Sequence, residues 1–465
     1  MQRFRREGHA RRTTIAGLLV LLSIVCAAAA RAVAEPAPRD WRVDDLNVVL
    51  LILDAARAAD FGAYGAARDT TPNLDAFARG ATLFERAYAQ SAWTLPSTAS
   101  FLTGTYPPRR TTNHFRISAT TLASLLAGAG FATAGFSENP YVTGDFGFNQ
   151  GFTSLREYQP WESYRRAENS YTHPDTARSI DDVIDWIRKA SANGRFFAYA
   201  HLLRPHCPYD PPPPLAGKFD PGYAGKIDGS VKTLRKIDKG SLAVTDRDLM
   251  HLHALYDENL AFGDQQAGRL LAALHSLALD DRTIVIVAAD HGEAFREHGR
   301  MLHTYTLFEE MIHVPLIVRF PSRFGELPRR WGGVVELRSL VPTLGDALGL
   351  EPPPGGAPSL LRVLHEAGSG EEFAVSRTID KSNRPLAAVV SRRYKLIQGS
   401  RIGSTALYDL ESDPGETRDI ARAHRPLVLR MRARLASDEP DAALRAGAGP
   451  RPETRKGLRA LGYVE

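Results

Sequence analysis

The sequence predicts an α/β protein built on a doubly wound, mostly parallel sheet. Continuous apolar runs recur along the first 350 residues, and segments with helical periodicity separate them. Apolar runs without polar alternation are typical of parallel strands, which helices cover on both faces. Several of these runs end at polar residues, which predicts a site at the carboxyl edge of the sheet, where open α/β sheets bind ligands.

The predicted elements alternate along the chain. They are a strand at Asn47–Leu53, a helix at 71–79, a strand at 81–88, a helix at 120–129, a strand at 131–136, a helix at 179–190, a strand at 195–203, a helix at 246–279, strands at 283–289 and 314–320, and a helix at 337–348. Pro72 suits the first turn of its helix, and Gly130 suits the end of another. This order favours a single large sheet.

A further short helix is predicted directly after Thr94. Pro96 favours the first position of a helix, Phe101 and Leu102 give it an apolar face, and Gly104 ends it. Thr94 would then lie just before a helix N-terminus, where unpaired N–H groups and the helix dipole favour an oxyanion. Such a hydroxyl is either a helix cap or, beside a metal, a nucleophile for a phosphate or sulfate ester.

The last quarter of the chain has a different pattern. A Gly- and Pro-rich linker is predicted over 351–372, after a catalytic domain over 47–350. Strand-like segments at 387–391, 394–398 and 406–410 and a helix around 427–437 follow. We therefore predict a small C-terminal subdomain over 373–465, with an antiparallel sheet and a helix.

The first 34 residues have the composition of a signal peptide. Basic residues precede an apolar stretch from 15 to about 30, and Ala32-Val33-Ala34 offers a cleavage site; a linker over 35–46 follows. The apolar stretch is short for a membrane span, so an uncleaved anchor is the alternative. We expect an exported protein, periplasmic or secreted, with no stable membrane span after cleavage.

Signal removal also changes the charge and the cysteine count. The segment 1–34 holds six arginines and one glutamate, so its loss brings the formal net charge from +5 to zero. The basic charge therefore gives no reason to expect a nucleic-acid partner. Cys26 lies in the signal, which leaves Cys207 alone and excludes an internal disulfide.

Metal-ligating side chains follow two of the predicted strands. Asp54 follows the first strand, Asp290 and His291 follow a later one, and Thr94 stands at the start of a helix. Each residue alone fits a turn or a cap. Together, two carboxylates, an imidazole and a hydroxyl suit a divalent cation such as Zn²⁺ or Mn²⁺, which would lower the pKa of the Thr94 hydroxyl.

Further histidines lie near these points in the sequence. His201 and His206 come at the end of one strand, and His298 and His303 come after the Asp-His-Gly-Glu turn. Each is a candidate second metal ligand, a donor to the ester oxygens, or a general acid for the leaving group. We prefer His206 and His303, because both fall in predicted loops. The histidines interpreted as structural are His251, His253, His275 and His313.

These motifs, taken together, resemble the sulfatase family of the alkaline-phosphatase superfamily. The segments that carry the resemblance are 50–65, 70–75, 94–98 with 102–104, 290–293, 313–317, 393–397 and 407–416. The resemblance implies an alkaline-phosphatase-like α/β/α sandwich with a mixed, mostly parallel central sheet and a small C-terminal antiparallel sheet plus helix. It implies that Asp54, Asp290 and His291 bind the metal, with Thr94 as the metal-bound nucleophile. By motif position, His206 and His303 would contact the substrate or the leaving group.

The sequence departs from the family pattern at three positions. Sulfatases carry Cys or Ser in a Cys/Ser-x-Pro-x-Arg motif, and this residue is oxidised to formylglycine; here the residues are Thr94 and Thr98, so no formylglycine is expected. Many sulfatases have a second Asp where this chain has Ala55, and Asn where it has His291. The imidazole favours Mn²⁺ or Zn²⁺ over Ca²⁺. Thr nucleophiles with Asp-His ligands resemble phosphoryl-transferring relatives such as phosphoethanolamine transferases.

We therefore predict a metal-dependent, sulfatase-like hydrolase of sulfate or phosphate esters. Thr94 would attack the ester in line, and water would then hydrolyse the covalent Thr94 ester. The alternatives are a phosphodiesterase, a phosphoryl transferase and an exported binding protein that has lost turnover. The substrate would be a small-molecule, glycan or lipid ester, selected by loops over 137–175 and 205–245. The oligomeric state is not predicted.

Overall fold

A mixed sheet forms the centre of the protein, which we describe from a computed structural model. The structure describes residues 45–461 except 110–114, 159–172, 354–355, 367–372, 401–403, 438–443 and 448. The predicted signal peptide and almost all of the linker over 35–46 lie outside the described residues.

The strands and helices are numbered along the chain. The strands are β1 (Asn47–Leu53), β2 (Thr82–Tyr88), β3 (Phe115–Ile117), β4 (Ala132–Ser137), β5 (Ser154–Glu157), β6 (Phe196–Leu202), β7 (Thr283–Ala288), β8 (Ala294–Phe295), β9 (Met301–Leu302), β10 (His313–Val314), β11 (Leu316–Arg319), β12 (Arg330–Glu336), β13 (Phe373–Ile379), β14 (Pro385–Ser391), β15 (Tyr394–Gly399), β16 (Thr405–Asp409) and β17 (Leu444–Ala446). The helices are α1 (Pro72–Arg79), α2 (Thr94–Thr103), α3 (Leu122–Gly128), α4 (Thr176–Ser191), α5 (Val231–Asp238), α6 (Asp246–Ser276), α7 (Glu309–Ile312), α8 (Leu340–Leu348), α9 (Leu360–His365), α10 (Arg425–Ser437) and α11 (Pro452–Ala460).

The central sheet is mostly parallel, as predicted. Its order is β10-β2-β11-β7-β1-β6-β4-β5, with β12 beside β2. Strands β7, β1, β6, β4 and β5 are parallel neighbours, whereas β11 runs antiparallel to both β7 and β2. Strand β1 is buried along its whole length. Its apolar side chains are covered on both faces, which explains its unbroken apolar sequence.

The strand register places the site at one edge. Ile52 in β1 pairs with His201 in β6 and with Ala288 in β7, and His201 pairs with Ser137 in β4. These four parallel strands therefore end at nearly the same level. The residues that follow them meet at the carboxyl edge of the sheet, as is usual for open α/β sheets.

Three predicted elements differ from the observed ones. Helix α2 begins at Thr94 itself, because Trp93 is extended and takes the cap position. The predicted loop over 205–245 contains α5, whose Leu234 and Ile237 are buried. The predicted linker over 351–372 contains α9, which packs four apolar side chains into the core. Both helices are short, so their periodicity is weak in the sequence.

A second, antiparallel sheet lies in the C-terminal region, in the order β13-β14-β15-β16. Its first strand was not predicted. Apolar residues of this sheet, among them Ala374 and Val390, form one buried cluster with Tyr88 of β2 and Leu307. The small sheet is thus packed against the edge of the central sheet. Along the described part of the chain, no helix has both the length and the apolar character needed to cross a bilayer.

Candidate active site

Two buried carboxylates lie at the ends of neighbouring strands. Asp54 follows β1 and Asp290 lies two residues after β7, and both are fully buried. Ala55 has a left-handed φ of 59°, and its N–H donates to Asp290 Oδ1 at 3.2 Å. The backbone N–H of His291 donates to the same oxygen at 3.0 Å. These bonds fix the orientation of the Asp290 carboxylate.

The remaining carboxylate oxygens have the arrangement of metal ligands. Among the described residues, Asp54 Oδ1 and Asp290 Oδ2 have no hydrogen-bond partner. Each lies 3.6 Å from Nε2 of His291. Buried carboxylate oxygens without partners are costly, so a bound cation would offset that cost. The residues therefore fit a divalent metal held by Asp54, Asp290 and His291.

The imidazole of His291 presents Nε2 as an acceptor. Its Nδ1 lies 2.8 Å from the carbonyl oxygen of Gly292, so Nδ1 carries the proton and donates. Nε2 is then free to bind a metal, and it lies 3.3 Å from Thr94 Oγ1. Thr94 is fully buried in the first turn of α2. The structure thus places the predicted hydroxyl, imidazole and carboxylates together.

Asn139, which the sequence analysis did not single out, and His201, one of its candidate histidines, also contact these residues. The side-chain amide of Asn139 donates to Asp54 Oδ2 and, at 3.2 Å, to Thr94 Oγ1. His201 Nε2 lies 3.0 Å from the same Asp54 oxygen. His201 is one of the four candidate histidines and lies in an apolar strand, whereas Asn139 is marked in the sequence only by its place after β4.

The two preferred histidines lie beside this group. The ring of His303 lies 4.5 Å from that of His291 and 4.9 Å from that of His206, measured between centroids. His303 Nδ1 lies 3.0 Å from Glu293 Oε1, and His206 Nδ1 lies 2.7 Å from the Cys207 carbonyl oxygen. Both rings are therefore oriented through Nδ1.

Burial and nearby charges shift the pKa values of the carboxylates. Burial by itself raises the pKa of Asp54, but the hydrogen bond from His201 and the nearby His206 and His291 hold it below its usual value. Burial and the adjacent Asp54 raise the pKa of Asp290. Two carboxylates this close repel each other, which is a further reason to expect a cation between them.

Two histidines near the carboxylates, His206 and His303, favour their neutral forms. Burial lowers the pKa of His206 to about 4, although Asp54 partly opposes it. Burial and the neighbouring His291 lower the pKa of His303 well below its usual value. Burial raises the pKa of Glu293 to about 7. At neutral pH the two imidazoles are proton acceptors in the ligand-free site.

Two further histidines, His253 and His298, contact other carboxylates. His253, on α6, is 2.9 Å from Asp60 Oδ1 and 3.7 Å from Asp257 Oδ1. Arg57 and Arg68 already pair with these carboxylates, so the cluster is neutralised by the chain itself. His298 donates to Glu310, and its ring stacks on Phe308.

Gly292 is required for the close packing of the loop that carries His291. A Cβ at this position would lie 2.0 Å from the carbonyl oxygen of Glu310. This oxygen belongs to the backbone of α7, so it could move away only if the helix moved. We expect Gly292→Ala to destabilise the protein by about 1–3 kcal/mol and to weaken divalent-metal binding, because His291 would be displaced. Chemical denaturation and metal titration measure the two effects. Gly128→Ala, where a Cβ meets nothing within 4 Å, is the control; equal behaviour of the two variants would contradict the expectation.

Comparison with known proteins identifies the family. The sulfatase family model matches residues 46–350. The chain is 27% identical over 425 residues to iduronate 2-sulfatase from Homo sapiens, covering 72% of this chain and 75% of the relative. It is 24% identical over 442 residues to an arylsulfatase from Clostridium perfringens, covering 80% and 89%.

Solved structures share the fold. The phosphonate monoester hydrolase of Agrobacterium radiobacter superposes with a TM-score of 0.69 at 23% identity, over 84% of this chain and 95% of that one. A 2-O GAG sulfatase superposes with a TM-score of 0.66 at 20% identity, over 89% and 100%. The chain therefore belongs to the sulfatase family, a class of sulfuric ester hydrolases with an alkaline-phosphatase-like fold. The predicted family and fold are confirmed.

Proposed function

We propose that the protein hydrolyses a sulfate or phosphate ester through Thr94 at a site that binds a divalent metal. One observation carries the proposal: the unpartnered oxygens of Asp54 and Asp290 flank Nε2 of His291, which lies 3.3 Å from the Thr94 hydroxyl. A cation bound there would act as a Lewis acid and favour the ionised hydroxyl.

The side chains supply the remaining steps. Thr94 Oγ1 forms a bond to the sulfur or phosphorus while the bond to the departing ester oxygen breaks. The hydroxyl proton passes to the departing oxygen by way of His206 or His303, whose neutral rings accept and return a proton. Water then attacks the covalent ester and restores Thr94. Asn139, which donates to Thr94 Oγ1, would hold the nucleophile in place.

The ligand set supports Mn²⁺ or Zn²⁺ rather than Ca²⁺. Calcium prefers six to eight oxygen ligands, whereas an imidazole nitrogen suits zinc and manganese. Thr94 has no route to formylglycine, because its side chain is a secondary alcohol with an extra methyl group. The reaction would therefore use an unmodified hydroxyl.

The departures from the family pattern favour a phosphoester or phosphodiester substrate. Thr98 stands where the sulfatase motif has arginine. The positive charge of that arginine, close to the nucleophile, is therefore replaced by a neutral side chain. Phosphonate monoester hydrolases share the fold. The second candidate is a phosphoryl transferase, which would pass the phosphoryl group to an acceptor alcohol instead of water. The Thr nucleophile and the Asp and His ligands of this chain resemble the pattern of such transferases. We place the enzyme outside the cytoplasm on the basis of the segment over 1–34.

Removal of the metal should abolish turnover. We expect the mature protein to purify with about one divalent ion bound at three protein ligands, and to lose activity in a chelator. Mn²⁺ or Zn²⁺ should restore it better than Ca²⁺. The assay compares an aryl sulfate, an aryl phosphate and an aryl phosphodiester, with metal content measured on the same samples.

The substrate panel separates the candidates. Phosphodiester turnover restored by metal would support the phosphoester hypothesis, and sulfate turnover would show that an unmodified threonine serves a sulfatase. Metal-loaded protein that turns over a phosphodiester only when an acceptor alcohol is added would favour the transferase. Protein that binds no metal and turns over none of the three substrates would contradict the proposal.

A further inference from the structure

Two polar side chains are buried inside the strand next to Asp54. Tyr199 and His201 lie two residues apart on β6, and they pair in register with Leu50 and Ile52 of β1. Neither has any solvent exposure. The Tyr199 hydroxyl lies 2.7 Å from Nδ1 of His201, and His201 Nε2 lies 3.0 Å from Asp54 Oδ2. A fully buried polar chain of this kind needs a reason beyond packing, because apolar residues fill a core at lower cost.

The direction of each hydrogen bond follows from the chemistry of the groups. An ionised carboxylate only accepts, so His201 must donate from Nε2 to Asp54. When the ring is neutral, Nδ1 is an acceptor and the Tyr199 hydroxyl donates to it; when the ring is protonated, its Nδ1–H donates to the hydroxyl oxygen. The ring is thus held at both nitrogens, and its orientation toward Asp54 is fixed.

This chain of bonds determines which oxygen of Asp54 faces the proposed metal. Oδ2 accepts from both His201 and Asn139. Oδ1 has no partner among the described residues and lies 3.6 Å from His291 Nε2. We infer that Tyr199 and His201 are positioning residues, which hold Asp54 so that Oδ1 binds the metal; this inference rests on the metal site of the proposed function. His201 is not a ligand in this arrangement, since its Nε2–H is used by Oδ2.

Metal affinity tests the inference directly. Loss of a residue that orients a metal ligand typically weakens metal binding by about 10–100-fold. We expect His201→Ala to weaken Mn²⁺ or Zn²⁺ binding by about that factor, measured by competition with a chelating dye. His201→Gln keeps an N–H donor near the position of Nε2 and should recover part of the loss. Tyr199→Phe removes a single oxygen, leaves the volume unchanged, and should weaken binding in the same direction by a smaller factor.

A double-mutant cycle distinguishes positioning from packing. If Tyr199 acts through His201, then Tyr199→Phe should have no further effect on metal affinity in the His201→Ala background. Additive effects, or a His201→Ala protein with wild-type metal affinity, would overturn the inference. X-ray absorption of the zinc-loaded proteins gives a further test. If His201→Ala has one nitrogen ligand fewer than wild type, then His201 is itself a ligand and the inference is overturned.

Two controls complete the design. Tyr64→Phe also removes a tyrosine hydroxyl, from a half-buried residue outside the site; this hydroxyl donates to the Phe84 carbonyl at 3.0 Å and accepts from the Leu316 N–H at 2.9 Å, and its loss should leave metal affinity unchanged. Asp290→Asn tests the metal site itself. If wild type and Asp290→Asn bind metal equally, the proposed function is wrong; if only Asp290→Asn loses affinity while the His201 variants do not, the metal site stands and the positioning inference fails.

Discussion

Thr94→Ala should reduce turnover by about 10⁴-fold or more, which is the size of effect seen when a covalent nucleophile is removed. The hydroxyl is buried in the first turn of α2, 3.3 Å from His291 Nε2, and alanine offers no atom that could replace it. Thr94→Ser should keep measurable activity, since it retains the oxygen. Steady-state kinetics on the best substrate of the panel measures the loss.

The same variant should retain its metal. Asp54, Asp290 and His291 remain in place, so metal content close to the wild-type value separates loss of the nucleophile from loss of the site. Wild type quenched in acid during turnover should carry the transferred group on the peptide that contains Thr94, and Thr94→Ala should not. Thr103→Ala, on the same helix, removes a hydroxyl that bonds the Ala99 and Ser100 carbonyls and the Thr105 hydroxyl, and it should keep turnover. An active Thr94→Ala enzyme would contradict the nucleophile assignment.

Lys395→Met should destabilise the protein by about 3–5 kcal/mol. Lys395 on β15 has no solvent exposure, and its Nζ lies 3.1 Å from Glu309 and 3.0 Å from Glu416. Glu416 also accepts from the backbone N–H of Glu309 at 2.6 Å. Methionine would leave the carboxylates of Glu309 and Glu416 close together without the cation that pairs with them. These two carboxylates lie where the small sheet joins α7. Urea denaturation measures the change in the free energy of unfolding.

The pH dependence separates electrostatics from packing. Burial raises the pKa of Glu416 to about 7, although Lys395 opposes the rise. Without Lys395 the folded state would bind protons more strongly still, so the stability deficit of Lys395→Met should be largest above neutral pH and shrink as the pH falls toward 5. A deficit independent of pH would contradict the ionic explanation. Lys381→Met, which removes a half-exposed ion pair with Asp238, should cost at most about 1 kcal/mol.

The residues of the proposed metal site could be located in the sequence because each stands at a local boundary. Asp54 and Asp290 follow apolar runs, and Thr94 opens a helix that ends at Gly104, so composition and periodicity locate them. The helices α5 and α9 could not be predicted in the same way. Their apolar residues are buried by distant parts of the chain, and a short segment has too little periodicity to reveal it.

The contacts that support the site could not be predicted, for a related reason. His201 lies inside an apolar strand, and its partner Asp54 is 147 residues away in sequence. Asn139 is 85 residues from Asp54. Neither has a local pattern that distinguishes a site residue from a packed one.

The sequence by itself determined the family, the order of the elements and the residues at the strand ends, because these depend on short-range patterns. Only the tertiary structure decided that β6 lies between β1 and β4, and hence that His201 and Asn139 meet Asp54. Strand order depends on long-range pairing, which no local segment encodes. The choice of the Asp54 oxygen that faces the proposed metal follows from that pairing.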